Sequence, residues 1–199
     1  MDSERSSTHF MRLFALCLLL ASHTSLASPL DEGVAAFNAG NYQQAFELWK
    51  PLAEAGNANA QYNIGLLFLN GLGLERNAVY ARELFLAAAH QGLADAQYNL
   101  GLIFFEGISV FRSPREARQW WTLAAEQGHA AAQFNLGYQY LFGMGAPRNI
   151  KLGFQLWEAS AAQGYPQAIE TLARVYESGE IDDHRDPQRA KYWRERAAP

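Results

Sequence analysis

From Ala58 onward, apolar and polar positions alternate at helical spacing, broken at regular intervals by glycine. Ala60, Ile64 and Phe68 recur four residues apart within Ala58–Leu69, which predicts an amphipathic helix with one packing stripe. Gly65 lies on that stripe, where the missing side chain predicts close approach by a neighbouring helix. Gly71 ends the helix, because glycine enters the left-handed C′ conformation without a Cβ penalty. A second helix is predicted after a short loop, beginning in successive copies at Asn77, Ser113, Asn149 or Asp186, all good N-cap residues. Ser113-Pro114-Arg115-Glu116 adds a proline at the first helical position and a capping-box glutamate, and Asp186-Pro187 repeats the cap and proline. The second helix turns Ala81, Leu84 and Phe85 inward, then Ala117, Trp120 and Trp121, and finally Ala190 and Trp193.

The pattern is periodic. Gly71, Gly107, Gly143 and Gly179 are each 36 residues apart, as are Gly56, Gly92, Gly128 and Gly164, and Ala60, Ala96, Ala132 and Ala168. The string AQYNIG at Ala60 returns as AQYNLG at Ala96 and AQFNLG at Ala132. Such a period marks units that bury their apolar faces only by stacking on neighbours. The prediction is an all-α fold, an α/α superhelix (solenoid) of about five antiparallel helix pairs. The last copy departs from the rest: Ala168-Ile169-Glu170-Thr171-Leu172-Ala173 loses the glutamine, the aromatic residue and the glycine. Its loop, Gly179 to Ala190, is one residue longer. Glu170, Arg174, Glu177, Arg194 and Arg196 suit a polar C-terminal cap. The loop Ile108-Ser109-Val110-Phe111 is unusually apolar and carries Ser109 where its counterparts have glycine.

The motif A-x-A-Q-x-x-L-G-x-x-[YF]-x-x-G, followed by A-x-x-W and A-A-x-Q-G, resembles the Sel-one-like repeat, a relative of the tetratricopeptide repeat with a longer inter-helix loop. The resemblance covers Gly56 to Pro199. The stretch Gly33 to Ala45, with its short turn at Gly40-Asn41, is more similar to an ordinary tetratricopeptide unit. The expected organisation is a tetratricopeptide-like pair over 28–57, then four Sel-one-like repeats at about 58–93, 94–129, 130–165 and 166–199. By analogy with tetratricopeptide geometry, four positions of each first helix face the concave groove. They are Asn59, Tyr62, Leu66 and Leu69; then Asp95, Tyr98, Leu102 and Phe105; then Ala131, Phe134, Tyr138 and Leu141. Tyr62, Tyr98 and Phe134 form a ladder at the repeat period, with Phe105 and Tyr138 beside it. Aromatic side chains concentrate at interaction hot spots, and they equally pack helix against helix. Asn63, Asn99 and Asn135 recur at the same period. An amide there can bridge repeats or read the backbone of an extended peptide, as asparagines of related tetratricopeptide grooves do.

Ahead of the repeats, Arg12 precedes the apolar run Leu13–Ala21, with small residues at Ser25 and Ala27. This layout predicts a secretory signal peptide over residues 1–27, cleaved after Ala27. The run is far short of the roughly 20 residues a membrane-spanning helix needs. Asp2 and Glu4 are unusual for the start of a signal peptide, which makes Met11 an alternative initiator to Met1. Cys17 follows Leu16 rather than a small residue, so no lipobox is read there. Cleavage removes the only cysteine, which suits a periplasmic or secreted protein without a transmembrane span.

Composition narrows the function classes. The chain has 199 residues, 49% of them hydrophobic, and a formal net charge of −4. So apolar a chain is not disordered, and without a basic run it has no footprint for nucleic acid. One cysteine excludes a disulfide framework or thiolate zinc site. His90 and His129 fall in the connectors between repeats and are read as structural. His184, within Asp182-Asp183-His184-Arg185-Asp186, reads as part of a solvated loop with Asp186 as helix cap, because consecutive loop residues rarely converge on one ion. No phosphate loop, His-Glu-x-x-His helix or nucleophile elbow is present. The expectation is a non-enzymatic adaptor or scaffold, without cofactor or metal, that binds a protein or peptide along the groove. The resemblance implies the same: exported relatives serve in flagellar motor assembly, exopolysaccharide machinery, regulation and host interaction. The alternatives are a cell-wall or glycan-binding factor, with Trp120, Trp121 and Trp157 as stacking surfaces, and a cryptic hydrolase. Relatives named for penicillin binding or hydrolysis carry a disulfide in each repeat, which this chain lacks.

Overall fold

The computed structural model describes residues 28–145 and 147–197. The expected signal peptide, its cleavage site and Cys17 lie outside the described residues.

Ten helices and no strand occur among the described residues. They are α1 (Pro29–Asn38), α2 (Tyr42–Glu54), α3 (Ala58–Asn70), α4 (Ala78–His90), α5 (Ala94–Glu106), α6 (Pro114–Glu126), α7 (Ala130–Phe142), α8 (Ile150–Ala162), α9 (Pro166–Ser178) and α10 (Pro187–Ala197). Each helix packs on its predecessor and successor, so the odd-numbered helices form one layer and the even-numbered ones the other. The predicted all-helical stack of five pairs is the fold.

The caps explain where the helices begin. Asn77, Ser113 and Asn149 each accept a backbone N–H from three residues ahead. The predicted capping box at Ser113 is only half made. The Ser113 N–H that Glu116 would engage instead donates to the Phe104 carbonyl at 2.7 Å. Asn77 and Asn149 tie back to Phe68 and Tyr140 in the same way, each at 2.8 Å, folding the loop onto the preceding helix. A complete box forms at Ser28 and Asp31, at the start of α1. Ser109 holds a φ of 58°, the left-handed conformation its glycine counterparts take freely. The Arg82 guanidinium secures that turn by donating to the Ser109 carbonyl at 3.2 Å.

A buried ring seated on a glycine holds each of the first four pairs together. Trp49, Phe85, Trp121 and Trp157 lie against Gly33, Gly65, Gly101 and Gly137, where an added Cβ would fall 2.1, 2.6, 2.1 and 2.6 Å from the nearest ring atom. The indole N–H groups of Trp49, Trp121 and Trp157 donate to the carbonyls of Leu30, Tyr98 and Phe134 at 3.1, 3.1 and 2.9 Å. In the last pair the longer loop changes the register. Asp186 caps α10 through the N–H groups of Gln188 and Arg189. Ala190 therefore matches Ala117, whereas Trp193 falls one position earlier in its helix than Trp157 does. Ala173 stands where the earlier pairs have glycine.

A glutamine relay fastens neighbouring pairs. Gln61, Gln97 and Gln133 donate to the carbonyls of Ala53, Ala89 and Ala125 on the preceding pair. Each accepts in turn from Gln91, Gln127 or Gln163, at 2.9, 2.7 and 2.8 Å. The relay stops at the copy beginning at Pro166, where buried Ile169 stands in place of the glutamine.

Two core positions of the fourth pair break the apolar pattern: Ser160, which donates to the Ala130 carbonyl at 2.7 Å, and Gln139. Gln139 occupies the place of Leu67, Ile103 and Val175 and is fully buried, and its Oε1 has no hydrogen-bond partner among the described residues. Its amide nitrogen donates to the Pro114 carbonyl at 2.9 Å. Leaving a buried acceptor unmatched costs about 1–3 kcal/mol. Gln139→Leu is therefore expected to raise the melting temperature by roughly 2–4 °C per kcal/mol gained. An unchanged or lower midpoint on thermal denaturation would mean that the bond to Pro114 outweighs the orphaned oxygen.

Candidate interaction groove

The odd-numbered helices carry the candidate residues, and the structure divides them into three groups. The first bridges repeats. The Asn99 amide donates to the Tyr62 hydroxyl at 3.2 Å, and Asn135 and Tyr98 stand at the same two positions one period on. Burial is the main cause of a raised pKa at both tyrosines, and the asparagine contact acts against it. The pairing ends where either partner changes: Phe134 has no hydroxyl, and Thr171 stands one period after Asn135. Asn63 has no hydroxyl before it either, since Leu30 holds the place of Tyr62 in the first pair. With Leu66, Asn63 lines a cavity of about 100 Å³ at the first junction.

Asp95 and His129 belong to the same group. His129 Nδ1 accepts the Ala132 N–H as the cap of α7, which leaves Nε2–H to donate to Asp95 Oδ1 at 3.2 Å. The His129 ring stacks on Tyr98 with centroids 4.7 Å apart. The ladder rings pack inward in a similar way, Tyr62 against Phe85 at 5.6 Å and Phe134 against Trp157 at 5.5 Å. Tyr62, Tyr98 and Phe134 are each half-buried.

The second group lines an open cleft. Leu102, Phe105, Phe134, Asn135 and Tyr138 converge on a cavity of about 450 Å³ between α5 and α7, with Trp121 at its base. Arg112 and Met144, from the two flanking loops, and Glu106 complete the wall. The Arg112 Nε donates to the Phe105 carbonyl at 2.9 Å, and its guanidinium lies 5.1 Å over the Phe105 ring. Arg76 and Arg148 make the equivalent bonds to Leu69 and Leu141. This arginine column, at the same 36-residue period, was a signal available in the sequence that groove geometry alone misses. Tyr138 is 40% exposed, and its one ring neighbour among the described residues is Phe142, one turn along its own helix.

The third group lies elsewhere. Asn59 is exposed, and Leu69 and Ala131 are half-buried. Leu141 is fully buried, which corrects its assignment to the groove. The cause is Gly153: an added Cβ there would lie 2.4 Å from Leu141 Cγ, so the leucine fills space that Ala81 and Ala117 occupy in earlier pairs. Trp121 and Trp157 are buried in the core and cannot present open stacking faces; Trp120 is half-buried, with His90 packed edge-on at 5.6 Å. Among the described residues no group of three or more His, Cys, Asp or Glu side chains is placed to hold a metal ion. Nor is any of these helices long and apolar enough to cross a membrane.

Comparison with known proteins fits this architecture. The Sel1 repeat profile matches residues 33–57, 58–93, 94–129, 130–165 and 166–198. A Sel1 repeat protein from Oxalobacter formigenes is 34% identical over 86% of this chain and 68% of its own, with a TM-score of 0.78. The protein c5321, a protective antigen of uropathogenic Escherichia coli strains displaying an SLR fold, is 26% identical over 85% of this chain, with a TM-score of 0.76. This chain spans only 37% of c5321. Comparison with curated proteins gives no match. With a repeat match over nearly every described residue and the same stacked pairs in solved relatives, the chain belongs to the Sel1 repeat family, whose members generally mediate protein–protein interaction.

Proposed function

We propose that this protein is an exported, non-catalytic adaptor that holds a protein or peptide partner in the groove of its odd-numbered helices. The observation that carries this reading is the cleft between α5 and α7. It is apolar at its base, and its most exposed aromatic, Tyr138, makes no side-chain hydrogen bond among the described residues. Aromatic side chains so placed supply contact area at low entropic cost. Export rests on the signal-peptide pattern of residues 1–27 and the cysteine-free remainder.

The test begins with periplasmic material, in which mass spectrometry should find a chain starting at Ser28. A captured partner is then titrated against the wild type and the Tyr138→Ala/Met144→Ala variant. Hot-spot truncation commonly costs about 2 kcal/mol, so affinity should fall by about thirtyfold while the melting temperature stays close to wild type. Unchanged affinity would remove the cleft as the binding site. A full-length cytoplasmic product would remove export.

A further inference from the structure

On the opposite layer, at the junction of α8 with the last pair, lies a second cleft of about 700 Å³. Its floor is a stack of three rings. Phe154 lies between Tyr176 at 5.3 Å and His184 at 5.2 Å, and Phe154 and Tyr176 are both buried. This aromatic floor is peculiar to the junction: the position of Phe154 is Arg82 and Arg118 in the two preceding copies. The floor is also braced. The Tyr176 hydroxyl donates to Glu158 Oε1 at 2.8 Å and accepts from Arg189 at 2.8 Å. Burial and the Glu158 contact push the tyrosine pKa up to about 12. The loop above is pinned by buried Ile181 and by the Arg148–Asp182 ion pair at 3.0 Å.

The charges in this cleft do not balance. Its two carboxylates, Glu158 and Asp186, are both matched to Arg189, at 2.6 and 3.6 Å. Lys151 and Arg185 line the same cleft, and neither forms an ion pair with another described residue. A chain of net charge −4 thus places two uncommitted cations over a rigid apolar floor. We infer that this cleft is a second docking site, which takes an acidic segment of a partner protein. Carboxylates of the segment pair with Lys151 and Arg185, and an apolar side chain between them rests on the His184–Phe154 stack. Because this cleft opens on the even-numbered helices, the segment it takes need not come from the molecule held in the groove.

The probes are a fluorescein-labelled Glu-Leu-Glu-Leu-Glu peptide and its Lys-Leu-Lys-Leu-Lys counterpart, titrated by anisotropy against the chain from Ser28 to Pro199. Saturable binding of the acidic peptide only, weakened by added salt, is expected. Lys151→Glu/Arg185→Glu should weaken it by about tenfold or more. Lys151→Gln/Arg185→Gln serves if the reversal disturbs folding, and Tyr138→Ala should leave binding unchanged. The inference fails if wild type shows no saturable binding, if the basic peptide binds as well, or if neither charge variant changes the affinity. Loss of binding in Tyr138→Ala would place the peptide in the groove instead. A dimer of the wild type that Lys151→Glu/Arg185→Glu dissociates would make a second copy the occupant, which also overturns the inference.

Discussion

Gly101→Leu is expected to unfold the middle of the stack. Overpacking a core typically costs about 1–3 kcal/mol. Here the clash begins at Cβ itself, 2.1 Å from the Trp121 Nε1 atom, before any larger side chain is placed. The indole cannot easily yield, because its N–H is bonded to the Tyr98 carbonyl and its ring meets Phe105 at 5.3 Å. The cost should therefore exceed that range, with loss of helical circular dichroism at ordinary temperature. Gly101→Ala gives the sharper check. In an exposed helix interior, alanine is favoured over glycine by about 1 kcal/mol. At this position the sign should reverse. An alanine variant that melts at or above the wild-type temperature would contradict the contact.

The second large effect is expected at Trp157. Removing a buried tryptophan side chain costs about 3–5 kcal/mol. Trp157 joins α7, α8 and, through Phe134 and Tyr165, the entry to α9. In a solenoid each pair is stabilised mainly by its neighbours. Trp157→Ala should therefore release the two C-terminal pairs before the rest, splitting urea denaturation into two phases. Trp157→Phe should cost only about 1 kcal/mol, since it keeps a ring on Gly137 and forfeits the bond to Phe134, as Phe85 does naturally on Gly65. A single sharp transition for Trp157→Ala, shifted no further than that of Trp157→Phe, would show that the ring does not couple the pairs.

The helix pairs and their period were legible because close packing leaves little freedom. A ring seated on a neighbouring helix demands glycine at one spacing, and a loop folded back onto its helix demands another. Constraints of that kind recur in every copy and survive as columns. The candidate groove was legible only in part. Its residues were placed by analogy of position: Leu102, Phe105 and Tyr138 line the cleft, whereas Leu141 is buried, the decisive residue being Gly153 on the partner helix. The reach of a side chain was equally hidden. The Asn99–Tyr62 bond spans 37 residues, so neither residue's surroundings announce it. Trp193 illustrates the opposite error: it keeps the 36-residue spacing from Trp157, yet the longer loop gives it a different place in its helix. Spacing along a chain equals spacing in a fold only while the connecting loops keep their length.

The junction bonds also govern how such a chain can change length over evolution. The glutamine-to-alanine contacts span 8 residues and the asparagine–tyrosine contact spans 37, so each reaches across one junction and no further. Deleting residues 94–129 would bring Asn135 to Tyr62 and Gln133 to the Ala89 carbonyl, rebuilding both bonds with new partners of the same type. Deleting 130–165 would set Tyr98 against Thr171 and the Ala125 carbonyl beside Ile169, and neither linkage would reform. Gain or loss of whole units is thus tolerated in the interior, while the unit 166–198, whose Ile169 and Thr171 replace the groups that reach back to the preceding unit, cannot be joined to it by the same bonds.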